Sequence, residues 1–303
     1  MRVVFLGTPQ FAVPTLTLLH QSGYDVAAVY TQPDRPKGRG QQVAFSPVKE
    51  ESLRLNLTVC QPDRVRTQVE ELGQFHPDVM VVVGYGQIIP QSIIDLPRHG
   101  IINVHASLLP KYRGAAPIQW AVARGETVTG VTTMRINAGL DTGDMLLRWE
   151  TPIGPEETAV DISPRLAENG ARLLIETLAR IDTVKPIPQN NGEATLAPIL
   201  KKKDGQIDFT MDAATILNRI RGFQPWPGAF TKLRGQRFHI WKAAIAKLTV
   251  EPAKLRIEQR RLYLGCASGT VLELLEVQLE GRKRMPVSVF LNGFTLTENE
   301  QLG

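Results

Sequence analysis

Short, unbroken apolar runs punctuate the first half of the chain, and helical periodicity fills the space between them. Residues 2–6 form one such run, closed by the turn sequence Gly7-Thr8-Pro9. Val13, Leu16, Leu18 and Leu19 then fall near helical spacing, and Gly23 ends the segment. Residues 26–30 predict a second strand, followed by a polar loop rich in Gly and Pro from 31 to about 47. Further strands are predicted at 79–83, 101–105 and 130–136. Strands alternating with helices predict an α/β fold with parallel strands joined by right-handed crossovers. Sheets of this kind bind ligands just beyond the C-terminal ends of their strands.

The second half reads differently. A helix is expected over 166–181, with Leu166, Leu173, Leu174, Leu178 and Ile181 on its apolar face. Residues 183–195, rich in Pro, Gly, Asn and Gln, read as a linker. After a helix at 213–221 come short strands at 230–233, 238–243, 262–266 and 271–278, with turns at Gly235 and Gly269. That spacing predicts a small β-barrel. A length of 303 residues suits two domains. The boundaries are set at 1–182 for a catalytic domain, 183–206 for the linker and 207–303 for the barrel.

Charge separates the same halves. Residues 1–200 hold 18 Lys and Arg against 20 Asp and Glu; residues 201–303 hold 17 against 10. A basic C-terminal third suggests a polyanion-binding module, although a solvated basic surface would look the same. No run approaches the ~20 apolar residues of a membrane span. The N-terminus reads as a buried strand and not as a signal peptide, so a cytoplasmic location is expected. Cys60 and Cys266 lie far apart without metal-ligand spacing and read as reduced, buried thiols.

Chemistry concentrates near the predicted strand ends. Asn103 and His105 are two residues apart on a strand and so share a face. An amide N–H can stabilise the oxyanion of an acyl-transfer intermediate, and an imidazole can move a proton near neutrality. Taken alone, the pair is equally compatible with a hydrogen-bonded core histidine. Asp141 and Asp144, in Leu140-Asp141-Thr142-Gly143-Asp144, offer carboxylates that can orient a histidine or accept a proton; Asp144 is read as an Asx-turn former. Gly84 and Gly86 flank Tyr85 after a buried strand, which fits close backbone approach to a flat ligand or a simple turn. Gly7-Thr8-Pro9 lacks the glycine spacing of a dinucleotide site. His20, His76, His99 and His239 are scattered, and neither a metal site, a nucleophile elbow nor a P-loop is predicted. Direct attack by a substrate amine is the natural mechanism.

Several stretches carry a resemblance that spans nearly the whole chain: FLGTPQFA, TQPDRPKGRG, SPVK, VVVGYGQIIP, INVHASLLPKYRGAAPIQWAV, TGVTTM and GLDTGDML, then KKKDGQIDF, IRGFQPWPGAF and FLNG. The chain resembles the folate-dependent formyltransferases, and their tRNA-using branch in particular. The resemblance implies an α/β Rossmann-like formyltransferase domain followed by a C-terminal OB-like β-barrel domain that binds tRNA. It implies 10-formyltetrahydrofolate as co-substrate, methionyl initiator tRNA as acceptor, no metal, no membrane association, and a monomer. Carried onto this chain, Asn103, His105 and Asp141 are catalytic. Ser107, Leu108, Leu109 and Pro110 join the folate site, with Gly84, Tyr85, Gly86 and Ile88 near the pterin. Arg35, Lys37 and Arg39 sit on a loop expected to reach the tRNA acceptor end, Arg39 foremost.

Some positions depart from the family pattern. Gln41 and Gln42 stand where Lys is frequent, Phe209 where Trp is usual, and Pro164 at the start of a helix that usually lacks it, where a first-turn proline is tolerated. The rival functions are formylation of a small amine such as glycinamide ribonucleotide or an amino sugar, hydrolysis of formyl-folate, and non-catalytic RNA binding by a degenerate enzyme.

Overall fold

The structure, a computed structural model, describes residues 1–37, 42–297 and 300–303. The chain forms two compact units. The first comprises Met1–Pro117, Val128–Thr151 and Ser163–Pro198, and the second Ile118–Thr127, Pro152–Ile162 and Ile199–Gly303.

The first unit is built on β1 (Arg2–Gly7), β2 (Asp25–Tyr30), β5 (Val59–Cys60), β6 (Val79–Val83), β7 (Ile101–His105), β8 (Val128–Arg135) and β9 (Met145–Pro152), with a separate hairpin of β3 (Arg35–Lys37) and β4 (Gln42–Ala44). The sheet order is β5-β2-β1-β6-β7-β8-β9. Val3, Val4, Phe5 and Leu6 are fully buried, which is why β1 reads as an unbroken apolar run: both of its faces are covered. Pairing is parallel from β5 through β7. The all-parallel expectation fails at β8, which runs antiparallel to β7. The helix between them, α5 (Pro117–Ala123), does not serve as a crossover on the sheet. Its Trp120 packs edge-on against Phe223 of the second unit at 5.2 Å. β9 alternates buried and exposed residues, so it lacks the continuous run that marks the inner strands.

Helices α1 (Val13–Gln21), α2 (Pro47–Arg54), α3 (Val69–Gln74) and α4 (Gln91–Ile94) are short. The long α6 covers Ala159–Ala179. It starts well before residue 166, because Thr158 and Asp161 form a capping box: Thr158 N donates to Asp161 Oδ2 at 2.9 Å, and Asp161 N to Thr158 Oγ1 at 3.3 Å. Pro164 therefore lies inside the helix and not in its first turn. Its missing N–H leaves the carbonyl of Val160 without a helical donor, at a residue whose side chain faces solvent. Gly170 lets α6 approach the sheet closely, since a Cβ there would lie 2.9 Å from Val104 Cγ1.

In the second unit, α7 (Ala213–Gly222) and α8 (Val287–Gly293) pack on an antiparallel sheet. Its strands are β10 (Ala229–Leu233), β11 (Gln236–Ala246), β12 (Leu255–Glu258), β13 (Arg261–Gly265), β14 (Val271–Leu279) and β15 (Met285–Pro286). The order β10-β11-β14-β13-β12 leaves β10 and β12 at opposite edges. The last residues join those edges: Leu302 bridges Leu233, and Gln301 bridges Lys254. Arg234 grips Glu300 beside this closure, and that pairing holds the Glu300 carboxyl below its usual range. Phe209 packs against the core formed by Ile216, Ile220, Phe238, Leu264 and Phe290. Both cysteines are free; burial raises the Cys60 thiol to about 11 and the Cys266 thiol to about 12. Among the described residues, no helix is long and apolar enough to cross a membrane.

Leu302 is 2% exposed and seals the joined edges. Leu302→Ala should cost the second unit about 2–4 kcal/mol in a denaturant titration followed by tryptophan fluorescence. A loss below about 1 kcal/mol would show that the tail does not close the sheet.

Candidate active site

β7 delivers Asn103 and His105 to the same face near its C-terminal end. Asn103 is 8% exposed, yet among the described residues its side-chain amide has no hydrogen-bond partner, and both amide atoms remain reachable by solvent. Buried amides normally find partners, so an open one beside a histidine is a candidate for binding a ligand.

The imidazole of His105 is bonded at Nε2 and faces a carboxylate at Nδ1. Nε2 lies 2.9 Å from the Tyr112 carbonyl oxygen. A carbonyl only accepts, so Nε2 carries a hydrogen. Nδ1 faces Asp141 Oδ2 at 3.7 Å, beyond hydrogen-bond distance; with the ring hydrogen on Nε2, the two can bond only when a further proton lies between them. The same carboxylate oxygen accepts from Gly114 N at 2.8 Å. Asn137, not Asp144, makes the Asx turn of this loop: its Oδ1 accepts from Gly139 N at 3.0 Å and from Thr142 Oγ1 at 2.8 Å.

Beyond β7 the chain is fixed by side chains of its own sheet. Thr132 Oγ1 donates to Ser107 O at 2.7 Å and accepts from Leu109 N at 3.2 Å. Ser107 Oγ donates to Lys111 O at 2.6 Å. Ser107, Leu109 and Pro110 are buried, which leaves Leu108 as the partly exposed side chain of the four.

The glycine loop after β6 has left-handed backbone at Gly84 (φ 58) and Gly86 (φ 84). A Cβ at Gly84 would meet Pro9 Cγ at 2.9 Å, so the loop can pass this close only as glycine. Tyr85 turns its ring into the core, where burial raises its hydroxyl to about 12 and leaves it without a partner among the described residues. Its carbonyl accepts from Thr8 Oγ1 at 3.2 Å and from Gln32 Nε2 at 3.1 Å. Two grooves flank the loop. One, of about 670 Å³, is walled by Thr8, Pro9, Pro33, Gly84 and Gly86. The other, of about 360 Å³, is walled by Arg64, Arg66, Gln87 and Ile88, whose side chain is 91% exposed. These volumes suit a flat organic ligand, and glycine at the wall allows close approach. Asn103, His105 and Asp141 line neither groove. No three His, Cys, Asp or Glu side chains among the described residues are grouped to hold a metal ion.

The family model described as formyl transferase matches residues 1–178, and that described as formyl transferase, C-terminal domain, matches 199–295. The chain belongs to the formyl transferase family. A methionyl-tRNA formyltransferase of Koribacter versatilis is 59% identical over 308 residues, covering 100% of this chain and 99% of the relative. One of Solibacter usitatus is 58% identical over 307 residues, with 100% and 99% covered. The crystal structure of a sugar 3N-formyl transferase, in the presence of dTDP and 5-N-formyl-THF, matches at a TM-score of 0.70 and 19% identity, over 93% of this chain and 99% of that one. At that identity the likeness speaks for the fold.

Within this formyl transferase, Arg35 and Lys37 fall on β3, paired with β4. The base of that hairpin is pinned by the Lys49–Asp34 ion pair, which holds the Asp34 carboxyl below its usual range, and by Gln61 Nε2 on Asp34 Oδ1 at 2.9 Å. Arg39 and Gln41 lie outside the described residues. Tyr112, Arg113, Gly114, Thr132, Gln189 and Thr195 also surround the site, although no one of them stands out individually in the sequence. Tyr112, Arg113 and Gly114 lie inside the INVHASLLPKYRGAAPIQWAV stretch and Thr132 inside TGVTTM, whereas Gln189 and Thr195 fall in the segment read as a linker; Gly114 shows most plainly what the stretch requires. It has φ 124, and a Cβ there would lie 2.6 Å from the Ala197 carbonyl oxygen. Gly114→Ala should cost more than about 1 kcal/mol and lower turnover by loosening Asp141. Wild-type stability and turnover would refute this role.

Proposed function

We propose that the chain transfers the formyl group of 10-formyltetrahydrofolate to the free amino group of methionyl initiator tRNA, giving the N-formylmethionyl-tRNA that starts translation. The relatives that match it end to end support that substrate pair. The observation that carries the chemistry is the amide of Asn103, unpartnered among the described residues, two residues along a strand from an imidazole bonded to a carbonyl at Nε2 and facing a carboxylate at Nδ1.

The uncharged α-amine attacks the formyl carbon, and a new C–N bond forms as the carbonyl becomes an oxyanion. The Asn103 amide N–H donates to that oxyanion. His105 stands beside it, its Nε2–H committed to Tyr112, so Nδ1 is the atom at which a proton can be shared with Asp141. The bond between the formyl carbon and the folate nitrogen then breaks, and the proton lost by the amine passes to that nitrogen, with Asp141 and His105 as the relay. Residues 107–110 and the loop of Gly84, Tyr85, Gly86 and Ile88 are proposed to seat the folate. The grooves beside Gly84 and Gly86 and the open side chain of Ile88 support the loop's part in this; residues 107–110 line neither groove.

The hairpin bearing Arg35 and Lys37, together with Arg39, is proposed to meet the acceptor end of the tRNA; arginine pairs bidentately with phosphate. Residues 1–182 are proposed as the formyl-transferring part and 207–303 as the tRNA-binding part, with 183–206 between them. The net charge of +7 over 201–303 (17 Lys and Arg minus 10 Asp and Glu) favours RNA backbone contacts. A cytoplasmic monomer is proposed.

One oxyanion donor is worth about 3 kcal/mol, so Asn103→Ala should lower kcat a few hundredfold with KM for either substrate little changed. Turnover near that of the wild type would sink the assignment of Asn103.

A further inference from the structure

Both nitrogens of His105 face residues in left-handed backbone that favours glycine: Nε2 is bonded to the carbonyl of Tyr112 (φ 63), and Nδ1 lies 3.7 Å from the carboxylate of Asp141 (φ 48). Such conformations persist at non-glycine residues only where the surroundings fix them. A single stretch of chain, 187–197, supplies the fixing contacts for both. Thr195 Oγ1 accepts from Tyr112 N at 2.9 Å. Gln189 Nε2 donates to the carbonyls of Asp141 at 2.8 Å and Gly143 at 2.7 Å. Gln189 Oε1 accepts from Arg113 Nε at 2.9 Å and Nη2 at 2.8 Å.

The Gln189 amide therefore uses both donors and both acceptor sites. Arg113 is 7% exposed, and the acceptors around its guanidinium are the amide oxygens of Gln189 and Asn191. A carboxylate would pair more strongly with a buried guanidinium, but it would turn negative oxygen toward the carbonyls of Asp141 and Gly143. An amide is the group that accepts from the one and donates to the others.

We propose that Gln189 is a positioning residue for formyl transfer, holding the backbone of Asp141 in the conformation that presents its carboxylate to His105. The proposal rests on the role given above to Asp141. Through Gln189 and Thr195, the stretch read from sequence as a linker becomes part of the support of the site.

The test is a double-mutant cycle on the full-length protein, with kcat, both KM values and the unfolding midpoint measured for Gln189→Glu, Gln189→Ala, Asp141→Asn and the Asp141→Asn/Gln189→Glu pair. Gln189→Glu keeps an acceptor for Arg113 and loses the donors to the loop. It should lower kcat about ten- to a hundredfold with each KM within about threefold of wild type. In the Asp141→Asn background the same change should lower kcat by no more than about threefold, because the group it positions is already impaired. A role in stability alone predicts full multiplication of the two losses, and that result overturns the proposal. So does wild-type kcat in Gln189→Glu, or in Gln189→Ala should the glutamate variant not fold. Wild-type turnover in Asp141→Asn would remove the role of Asp141 itself and the positioning role with it, whereas a slow Asp141→Asn with full multiplication removes only that of Gln189.

Discussion

The imidazole of His105 is set between two groups, bonded to the Tyr112 carbonyl at Nε2 and facing the Asp141 carboxylate 3.7 Å from Nδ1. Each partner reaches it from a loop with left-handed backbone, and each loop is bonded to the 187–197 stretch. Much of the local architecture follows from this placement. Gly114 is a glycine because its N–H must reach Asp141 while its Cα lies against Ala197. Thr132 anchors the chain just past His105 so that the strand end does not drift. Among the described residues the amide of Asn103 is left open while Thr132, Ser107 and His105 near it are bonded.

How much of this could be read in the sequence depends on the range of the forces involved. β1, β6 and β7 are buried on both faces, so their apolar runs announce them. β9 escapes notice because it alternates, and the start of α6 because a two-residue capping box, not an apolar stripe, sets it. The reversed direction of β8 and the membership of residues 118–127 and 152–162 in the second unit depend on packing between distant parts of the chain, such as Trp120 on Phe223. No local pattern encodes that.

The site divides in the same way. Asn103, His105 and Asp141 stand in compact motifs at strand ends. Gln189 and Thr195 act across 48 and 83 residues, from a segment whose composition signals only a loop. Their side chains matter because they satisfy backbone groups at unusual φ values, and neither the groups nor the angles show in the sequence. The charge asymmetry, by contrast, needs no structure: 17 cations stand against 10 anions in 201–303.

Catalysis of formyl transfer to an aminoacyl-tRNA is tested most directly by supplying the purified protein with 10-formyltetrahydrofolate and, in parallel, methionyl initiator tRNA, free methionine, glycinamide ribonucleotide or no acceptor. The open Asn103 amide beside His105 predicts formyl transfer, and the basic C-terminal third predicts the charged initiator tRNA as its acceptor and neither small amine. Formylation of a small amine, or release of formate with no acceptor present, would contradict that account.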